Sequence, residues 1–212
     1  MAMSEKLVIV GAGGHGKVVA DVALIAGYEI VGFIDDHAKE APLPGQKILG
    51  NLDVISALFS DNPHYKLILA IGDNATRKHI AYSLAKNDIT YAIVSHPSSA
   101  ISPFAVVKPG TVIMPGVVIN AGAYIGKHVI LNTACSVDHD CYIGDFVHIS
   151  PGAHLAGNVT VGEGTHIGVG VSVIPGCKIG EWAIIGAGAV VVEDIPSRVV
   201  AVGVPAKPIR KL

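Results

Sequence analysis

Apolar residues recur at every sixth position through the second half of the chain. The series runs from Ile101 to Val191, and every member is Ile, Val or Leu. Four residues further into each repeat, from Ala105 to Ala189, stands Ala, Thr, Val or Cys. This small residue and the next large one are two positions apart, so both face the same side of a strand. The period predicts a parallel β-helix with a narrow interior that takes one large and one small side chain per repeat.

Glycine and proline mark the corners between these short strands. Pro-Gly pairs occupy the third and fourth positions of several repeats, and glycine often takes the second position. Glycine provides backbone freedom and proline a fixed φ, so these positions are predicted to be bends. The cysteines, Cys135, Cys141 and Cys177, all stand at the small interior position. They are therefore interpreted as core residues, and neither a covalent nucleophile nor a zinc site is expected from them.

The first part of the chain follows a different pattern, in which apolar strands alternate with segments of helical spacing. Strands are predicted at 7–10, 30–34 and 66–71, with helices after the first and the third. This alternation predicts a small Rossmann-like α/β domain over residues 1–95. The β-helix domain is expected over 96–193, and residues 194–212 are expected to form a C-terminal tail.

Glycines cluster between the first predicted strand and the first helix. Gly11, Gly13 and Gly16 form a G-x-G-x-x-G pattern, and Asp35 follows about 20 residues later. Such a turn lets a phosphate approach the backbone at a helix N-terminus. A segment of about 95 residues is too short for a full dinucleotide-binding fold. A nucleotide-sugar therefore fits the pattern as well as NAD, and a tight turn without a ligand stays open.

Composition narrows the classes of function. Lys and Arg number 15 and Asp and Glu 17, which gives a formal charge of −2. No basic stretch indicates nucleic acid or a membrane surface, and no apolar run reaches the ~18 residues of a spanning helix. The N-terminus lacks the pattern of a signal peptide. A cytoplasmic protein without nucleic-acid or membrane partners is expected.

Three motifs in this order resemble the hexapeptide-repeat bacterial sugar O- and N-acetyltransferases. They are the sequence Gly-Ala-Gly-Gly-His-Gly at 11–16, the hexapeptide coil, and Gly-Val-Pro-Ala-Lys at 203–207. The family includes the acetyltransferase of bacillosamine biosynthesis, perosamine N-acetyltransferase and the sialic acid O-acetyltransferases. The resemblance implies a left-handed coil, a homotrimer, acetyl-CoA bound along the coils between subunits, and a nucleotide-sugar held by the N-terminal domain.

His139 and Asp140 are the candidates for the catalytic pair. They stand at corner positions where other repeats carry Pro-Gly, so the imidazole is expected to point outward. Acetyl transfer from a thioester needs a base, and a carboxylate can fix the tautomer of a histidine and stabilise its charged form. The resemblance matches the pair to the family's catalytic histidine and the acidic residue after it, although many relatives have Glu there. A solvated corner histidine is the structural alternative.

Three more histidines, His148, His154 and His166, stand at the sixth position of the repeat, which alternation points outward. His148 and His166 are 18 residues apart and are expected to stack on one face. Only these two share a face and no carboxylate has the matching phase, so no metal site is expected. His154 and His166 are interpreted as surface or trimer-interface residues. Outward apolar residues at the same position are consistent with a trimer, namely Val118, Ile130 and Ile184.

The resemblance also assigns binding residues. For the nucleotide-sugar it implies Gly13, Gly14, His15, Asp35, Asp36, Gly72 and Asn132. For acetyl-CoA it implies His148, Gly157, Val169 and Ala187. Asn74 and Arg77 are further candidates for sugar or phosphate contacts, with helix capping as the alternative for Asn74.

The sequence therefore favours an acetyl-CoA-dependent N-acetyltransferase that acts on a nucleotide-linked amino sugar in bacterial glycan biosynthesis. Direct attack of the amine on the thioester is expected, with His139 as the base. O-acetylation of a sialic acid or a polysaccharide sugar stays open, because a histidine base serves either acceptor. An NAD-binding protein would instead bind NAD and not CoA. A purely structural solenoid would have no exposed His-Asp pair at a corner.

Overall fold

The computed structural model describes residues 4–212, in which an α/β domain packs on a three-sided coil of parallel strands. The elements of the N-terminal domain are β1 (Lys6–Val10), α1 (Gly14–Ile25), β2 (Glu29–Ile34), β3 (Ile48–Gly50), a 3-10 helix (Leu52–Val54), α2 (Ile55–Asp61), β4 (Lys66–Leu69), α3 (Asn74–Ser83) and β5 (Thr90–Tyr91). The five strands form one parallel sheet in the order β3-β2-β1-β4-β5.

The strands predicted in this domain are confirmed as β1, β2 and β4, with the last ending at Leu69 rather than at residue 71. The strands β3 and β5 and the helix α2 were not predicted. β3 has three residues and β5 two. Segments this short carry too few positions for an alternation to be visible, so their pairing partners rather than their own sequences define them.

The coil is built from strands of two residues. They are β6 (Val94–Ser95), β7 (Ala100–Ile101), β8 (Val106–Val107), β9 (Val112–Ile113), β10 (Val118–Ile119), β11 (Tyr124–Ile125), β12 (Ile130–Leu131), β13 (Ser136–Val137), β14 (Tyr142–Ile143), β15 (His148–Ile149), β16 (His154–Leu155), β17 (Thr160–Val161), β18 (His166–Ile167), β19 (Ser172–Val173), β20 (Lys178–Ile179), β21 (Ile184–Ile185) and β22 (Val190–Val191). Each strand from β6 to β19 pairs in parallel with the third strand after it, as when Ile130 pairs with His148. One turn therefore takes 18 residues. The coil is a left-handed parallel β-helix, which confirms the β-helix predicted from the repeat and the hand implied by the resemblance.

The coil has three sheets. The domain-facing sheet contains β6, β9, β12, β15, β18 and β21, the second sheet runs from β7 to β22, and the third sheet from β8 to β20. Residues 194–212, the predicted C-terminal tail, fold back and pair with the coil. Their strand β23 (Val199–Val202) pairs with β21, and β24 (Lys207–Lys211) pairs antiparallel with β23, so both extend the domain-facing sheet.

The interior of the coil is filled as the repeat predicts. All three cysteines are buried, and the large residues from Ile113 to Val191 are fully or almost fully buried with them. Burial raises the pKa of the Cys135 thiol to about 12. A thiol with such a pKa remains protonated at neutral pH, and a protonated thiol is a poor nucleophile. The cysteines are therefore packing residues.

The N-terminal domain covers the domain-facing sheet. Val19, Ala20 and Ala23 of α1 belong to one continuous apolar core with the interior of the coil. Ile130, on the same sheet, is only 1% exposed because the α/β domain packs on that face, so it points out of the coil but is not available for the expected trimer contact. Val118 and Ile184 do remain exposed. Within residues 4–212, helices fall short of the length and apolar character required to cross a bilayer.

Candidate active site

His139 and Asp140 lie at the corner between β13 and β14. The chain turns there through Asp140, whose φ of 58° lies in the left-handed region. The Asp140 Oδ2 atom is 2.9 Å from His139 Nδ1, so the shorter aspartate does reach the ring. Both side chains are exposed, by 61% and 69%. The hydrogen bond with Asp140, together with the charge of Asp138, raises the pKa of His139.

Gly157 lies one turn further along the coil, at the corner that follows β16. A Cβ atom added at Gly157 would overlap the Nε2 side of the His139 ring. The backbone N–H of the next residue, Asn158, donates to the carbonyl of His139 at 2.9 Å. The bare backbone of Gly157 therefore provides the space in which the imidazole of His139 lies.

We expect Gly157→Ala to fold normally and to lower kcat. The φ of Gly157 is not in the left-handed region, so alanine is tolerated by the backbone. The added methyl group overlaps only the end of an exposed side chain, which can move away at little cost in stability. For the base role that the sequence predicts for His139, this displacement matters, because a shift of about 1 Å can reduce a rate about 100-fold. Turnover and thermal melting, measured on the same preparation, check both parts; full activity would contradict this placement.

A second group of candidate residues meets where the N-terminal domain covers the coil. His15, in the first turn of α1, has its ring centroid 6.5 Å from that of His148. Asn132 Nδ2 lies 3.2 Å from His148 Nε2. The rings of His148 and His166 are stacked at 4.7 Å with an interplanar angle of 11°, which confirms the predicted stack. This second group thus brings together two candidates for the nucleotide-sugar site and one for the acetyl-CoA site.

The histidines of this second group are held neutral. Burial, with a further contribution from the positive charge of Arg77, lowers the pKa of His15 to about 4. Burial and the neighbouring histidines and Arg77 lower the pKa of His148 to about 3. His15 Nε2 and His148 Nδ1 are buried, and neither finds a hydrogen-bond partner within the part of the chain that the structure describes. Neutral imidazoles of this kind are suited to hydrogen bonding rather than to accepting a proton at pH 7.

The glycine loop after β1 is open to a ligand. A Cβ atom added at Gly13 or Gly14 would meet nothing within 4 Å, whereas one at Gly16 would overlap the carbonyl of Gly11. Asp35 Oδ2 accepts the backbone N–H of Ala12 at 2.8 Å, which ties the loop to the end of β2.

A cavity of about 180 Å³ lies beside this loop. Gly11 lines it together with Asp35 and Asp36, and Ile71 and Thr76 close the other side. Asp36 Oδ1 accepts the backbone N–H of Leu52 at 3.1 Å, so that carboxylate is partly engaged within the protein. The cavity thus adjoins the two aspartates that the sequence proposes for the nucleotide-sugar, whereas the exposed Gly13 and Gly14 do not line it.

The candidate residues of the coil fall on two different edges. Asn132, Val169 and Ala187 lie at corners between the domain-facing sheet and the second sheet, which we call the Asn132 edge. His139 and Gly157 lie at corners between the second and third sheets, which we call the His139 edge. A single chain therefore does not bring the catalytic candidates onto the same edge as the other candidates.

A larger cavity, of about 560 Å³, lies between the start of α3 and the domain-facing sheet. Gly72 lines this cavity next to His148 and His166, and Trp182 and Arg198 line its opposite side. The predicted residue Gly72 is therefore adjacent to the stacked histidines. No set of three His, Cys, Asp or Glu side chains grouped as metal ligands occurs in residues 4–212.

Arg77 is not a substrate contact, which corrects the expectation from the sequence. Its side chain is 0% exposed. The guanidinium donates to the carbonyls of His128 and Phe146 in the coil and of Ile71 in the N-terminal domain, at 2.8 to 2.9 Å. The spacing of Arg77 to Ile80, Ala81 and Leu84 places it on the apolar face of α3. This helical spacing is the feature of the sequence that indicates a buried position for Arg77.

Asn74 is likewise occupied within the protein. Asp73, not Asn74, caps α3, because its carboxylate accepts the N–H of Thr76 at 2.8 Å. Asn74 Nδ2 donates to the carbonyl of Gly164 at 3.0 Å, and its Oδ1 accepts from Arg77. Asn74 and Arg77 therefore join the two domains, and neither is free to contact a sugar or a phosphate.

Two family models match the chain, one on each domain. Residues 6–84 match the PglD N-terminal domain, and residues 140–173 and 158–192 match the bacterial transferase hexapeptide (six repeats). The acetyltransferase domain of PglB from Neisseria gonorrhoeae, solved with acetyl coenzyme A, is 38% identical over 98% of this chain and 100% of that one, with a TM-score of 0.90. PerB from Caulobacter crescentus, solved with CoA and GDP-perosamine, is 37% identical over 99% of each chain, with a TM-score of 0.91.

A curated relative extends the comparison. The UDP-N-acetylbacillosamine N-acetyltransferase of Bacillus subtilis is 39% identical over 103 residues, which span 48% of this chain and 48% of that protein. The α/β domain, the left-handed coil and the exposed His-Asp corner together define a hexapeptide-repeat transferase. The chain belongs to the hexapeptide-repeat sugar acetyltransferases with a PglD-type N-terminal domain, the family of PglB and PerB.

Proposed function

We propose that this protein transfers the acetyl group of acetyl-CoA to the amine of a nucleotide-linked amino sugar. The observation that carries the proposal is the 2.9 Å contact between His139 Nδ1 and Asp140 Oδ2 at an exposed corner. The relatives support the substrate classes, since PglB was solved with acetyl coenzyme A and PerB with CoA and GDP-perosamine. The open glycine loop and its neighbouring cavity offer a place for the nucleotide end.

The geometry of the corner supports direct transfer without a covalent enzyme intermediate. Asp140 accepts the Nδ1–H of His139, which leaves a lone pair on Nε2. Nε2 takes a proton from the sugar amine as the nitrogen attacks the thioester carbonyl. When the tetrahedral intermediate collapses, the C–S bond breaks and the imidazolium returns the proton to the CoA sulfur. The carboxylates of Asp138 and Asp140 stabilise the imidazolium in between.

The separation of the two edges supports a homotrimer. A heterologous contact places the His139 edge of one copy against the Asn132 edge of the next, and such contacts form a closed ring when the rotation closes. Each of three sites would then combine His139 and Gly157 of one subunit with Asn132, His148, Val169 and Ala187 of its neighbour. In this arrangement acetyl-CoA lies between subunits. We place the reaction in bacterial glycan biosynthesis in the cytoplasm, where acetyl-CoA and nucleotide-sugars occur together.

The function is tested by release of CoA in the presence of acetyl-CoA and a panel of acceptors. The panel contains UDP-, GDP- and dTDP-linked amino sugars and, as matched controls, the same sugars with a hydroxyl in place of the amine. We expect release only with an amino sugar, and the preferred nucleotide identifies the base. Release only with hydroxyl acceptors would establish the O-acetyltransferase instead.

A parallel thermal-shift measurement separates the remaining alternative, an NAD-binding protein. A ligand that binds only the folded state stabilises it by about 2.7 kcal/mol at a concentration of 100 times its dissociation constant. This stabilisation raises the melting temperature. Acetyl-CoA and one nucleotide-sugar are expected to raise it. A rise with NAD and none with CoA would overturn the proposal.

A further inference from the structure

His166 repeats the surroundings of His148 one turn further along the coil. The two residues are paired in register on β15 and β18, and their rings are stacked. Ser150 Oγ lies 2.9 Å from His166 Nε2, just as Asn132 Nδ2 lies 3.2 Å from His148 Nε2. Ser150 is 3% exposed. The two imidazoles thus form a ladder in which each Nε2 atom has a polar partner from the preceding turn.

The hydrogen bonds define the tautomer of His148. Asn132 Oδ1 accepts the backbone N–H of Thr133 at 2.9 Å, which orients the amide so that its NH2 group faces His148. An NH2 group can only donate, so His148 Nε2 must be the acceptor. The single proton of the neutral ring is then on Nδ1. His148 Nδ1–H is therefore a donor on the side of the ring away from Asn132, where His148 and Gly72 line one cavity.

We propose that His166, held by Ser150, is a positioning residue that keeps the His148 imidazole in one orientation and in its Nδ1–H form. The stacked ring of His166 covers one face of His148, and the hydrogen bond to Ser150 prevents His166 from rotating away. This assignment rests on the proposed function, in which His148 contacts acetyl-CoA and substrate. His166 itself does not touch the reacting atoms.

Burial and the charges around His148 and His166 also favour the neutral form of both rings. Burial is the largest cause that lowers the pKa of His148, and His166, Arg77 and His15 lower it further, while the Gly72 backbone opposes this in part. Burial and Arg77 also lower the pKa of His166, against the opposing charge of Asp73. A proton on either ring would place a charge beside the other ring and beside Arg77. The stack therefore favours two neutral imidazoles.

Loss of His166 has a defined consequence for pH dependence. His148 has a lowered pKa, so it stays neutral until the pH falls well below the usual range of histidine. Without His166 the ring becomes more exposed and loses one of the groups that disfavour its charge, so its pKa rises toward 6.5. In His166→Ala, His148 should therefore begin to accept a proton in mildly acidic solution, where the native ring is still neutral.

The test compares His166→Ala with His166→Phe in the full-length protein. We expect His166→Ala to raise the KM for acetyl-CoA or the acceptor about tenfold, since the partners that orient functional histidines contribute on this order. The effect on kcat should be smaller. The acid limb of kcat/KM should become steeper, because His148 as well as His139 would then have to lose a proton. His166→Phe keeps a stacked ring and should restore most of the loss. His64→Ala, at an exposed histidine in the loop between α2 and β4, is the matched control and should leave KM and the pH profile unchanged.

The tautomer is measured separately from turnover, by 15N NMR of protein labelled at the histidine rings. The native protein should show His148 protonated on Nδ1 at neutral pH and not titrating down to about pH 5. His166→Ala should titrate at a higher pH. A native Nε2–H tautomer or an unchanged titration in His166→Ala would overturn the positioning role. These outcomes do not depend on activity, so they are distinct from a failure of the proposed acetyl transfer.

Discussion

His139→Ala is expected to lower kcat by about 10²- to 10⁴-fold, the usual contribution of a general base. The side chain is 61% exposed, and among residues 4–212 its ring forms a hydrogen bond only with the neighbouring Asp140. Removing it leaves no buried cavity and no unpaired buried group, so the melting temperature should remain unchanged. CoA release measured with a thiol reagent gives the rate, and circular dichroism gives the melting temperature.

The matched control for this prediction is His64→Ala. His64 is also an exposed histidine, but it lies in the loop between α2 and β4 of the N-terminal domain. Its removal should leave kcat within a factor of two, about 0.4 kcal/mol in activation free energy. If His139→Ala retained near-native turnover, the corner would not be the catalytic site, whatever the protein binds.

The base role of His139 also predicts how the rate of acetyl transfer depends on pH. The base must be neutral to accept a proton, so activity should rise with pH through the pKa of His139, which the bond to Asp140 raises above its usual range. Asp140→Asn removes that carboxylate, and asparagine also tolerates the left-handed backbone at this position. The acid limb should move to lower pH, while the plateau rate falls because the imidazolium is less stabilised. An unchanged profile would show that Asp140 does not act on the ring.

The repeat accounts for most of what could be predicted. Its phase alone places the cysteines inside, His139 at a corner and His148 in a stack with His166. The position within the six-residue repeat determines whether a residue is interior, outward or at a corner, and the 18-residue turn determines which residues stack. The same phase correctly places Ile130 on the outside of its turn, but that residue is buried under the N-terminal domain and is not exposed for a trimer contact. The repeat describes the coil and contains no information about what packs on it.

The contacts between the domains could not be predicted for the same reason. The meeting of His15 with His148 joins residues 133 positions apart and depends on how α1 packs on the coil. Apart from Asn74, the acceptors of Arg77 are backbone carbonyls, which every residue possesses, so no sequence motif identifies them. Arg77 resembles a surface phosphate contact by residue type alone, and only its helical spacing with Ile80 and Leu84 indicates otherwise.

Arg77→Met is expected to lower the free energy of unfolding by about 3–5 kcal/mol, because several buried carbonyls lose their donor and each such group costs about 1–3 kcal/mol. Methionine replaces most of the volume but donates no hydrogen bond, so the carbonyls of His128, Phe146 and Ile71 lose their donor inside the protein. The native guanidinium is itself buried, which lowers its pKa to about 10 but leaves it charged at neutral pH. Its bonds extend from α3 to two corners of the coil, so the loss should loosen the docking of the whole N-terminal domain.

Urea unfolding followed by circular dichroism measures this change, at one fixed protein concentration because association contributes to apparent stability. Arg210→Met, an exposed arginine on β24, is the matched control and should change stability by no more than about 0.5 kcal/mol. Since the interface between the domains holds His15 against His148, Arg77→Met should also raise the KM for the nucleotide-sugar well below the unfolding transition. A loss of less than about 1 kcal/mol, or an equal loss in Arg210→Met, would contradict the view that Arg77 joins the two domains.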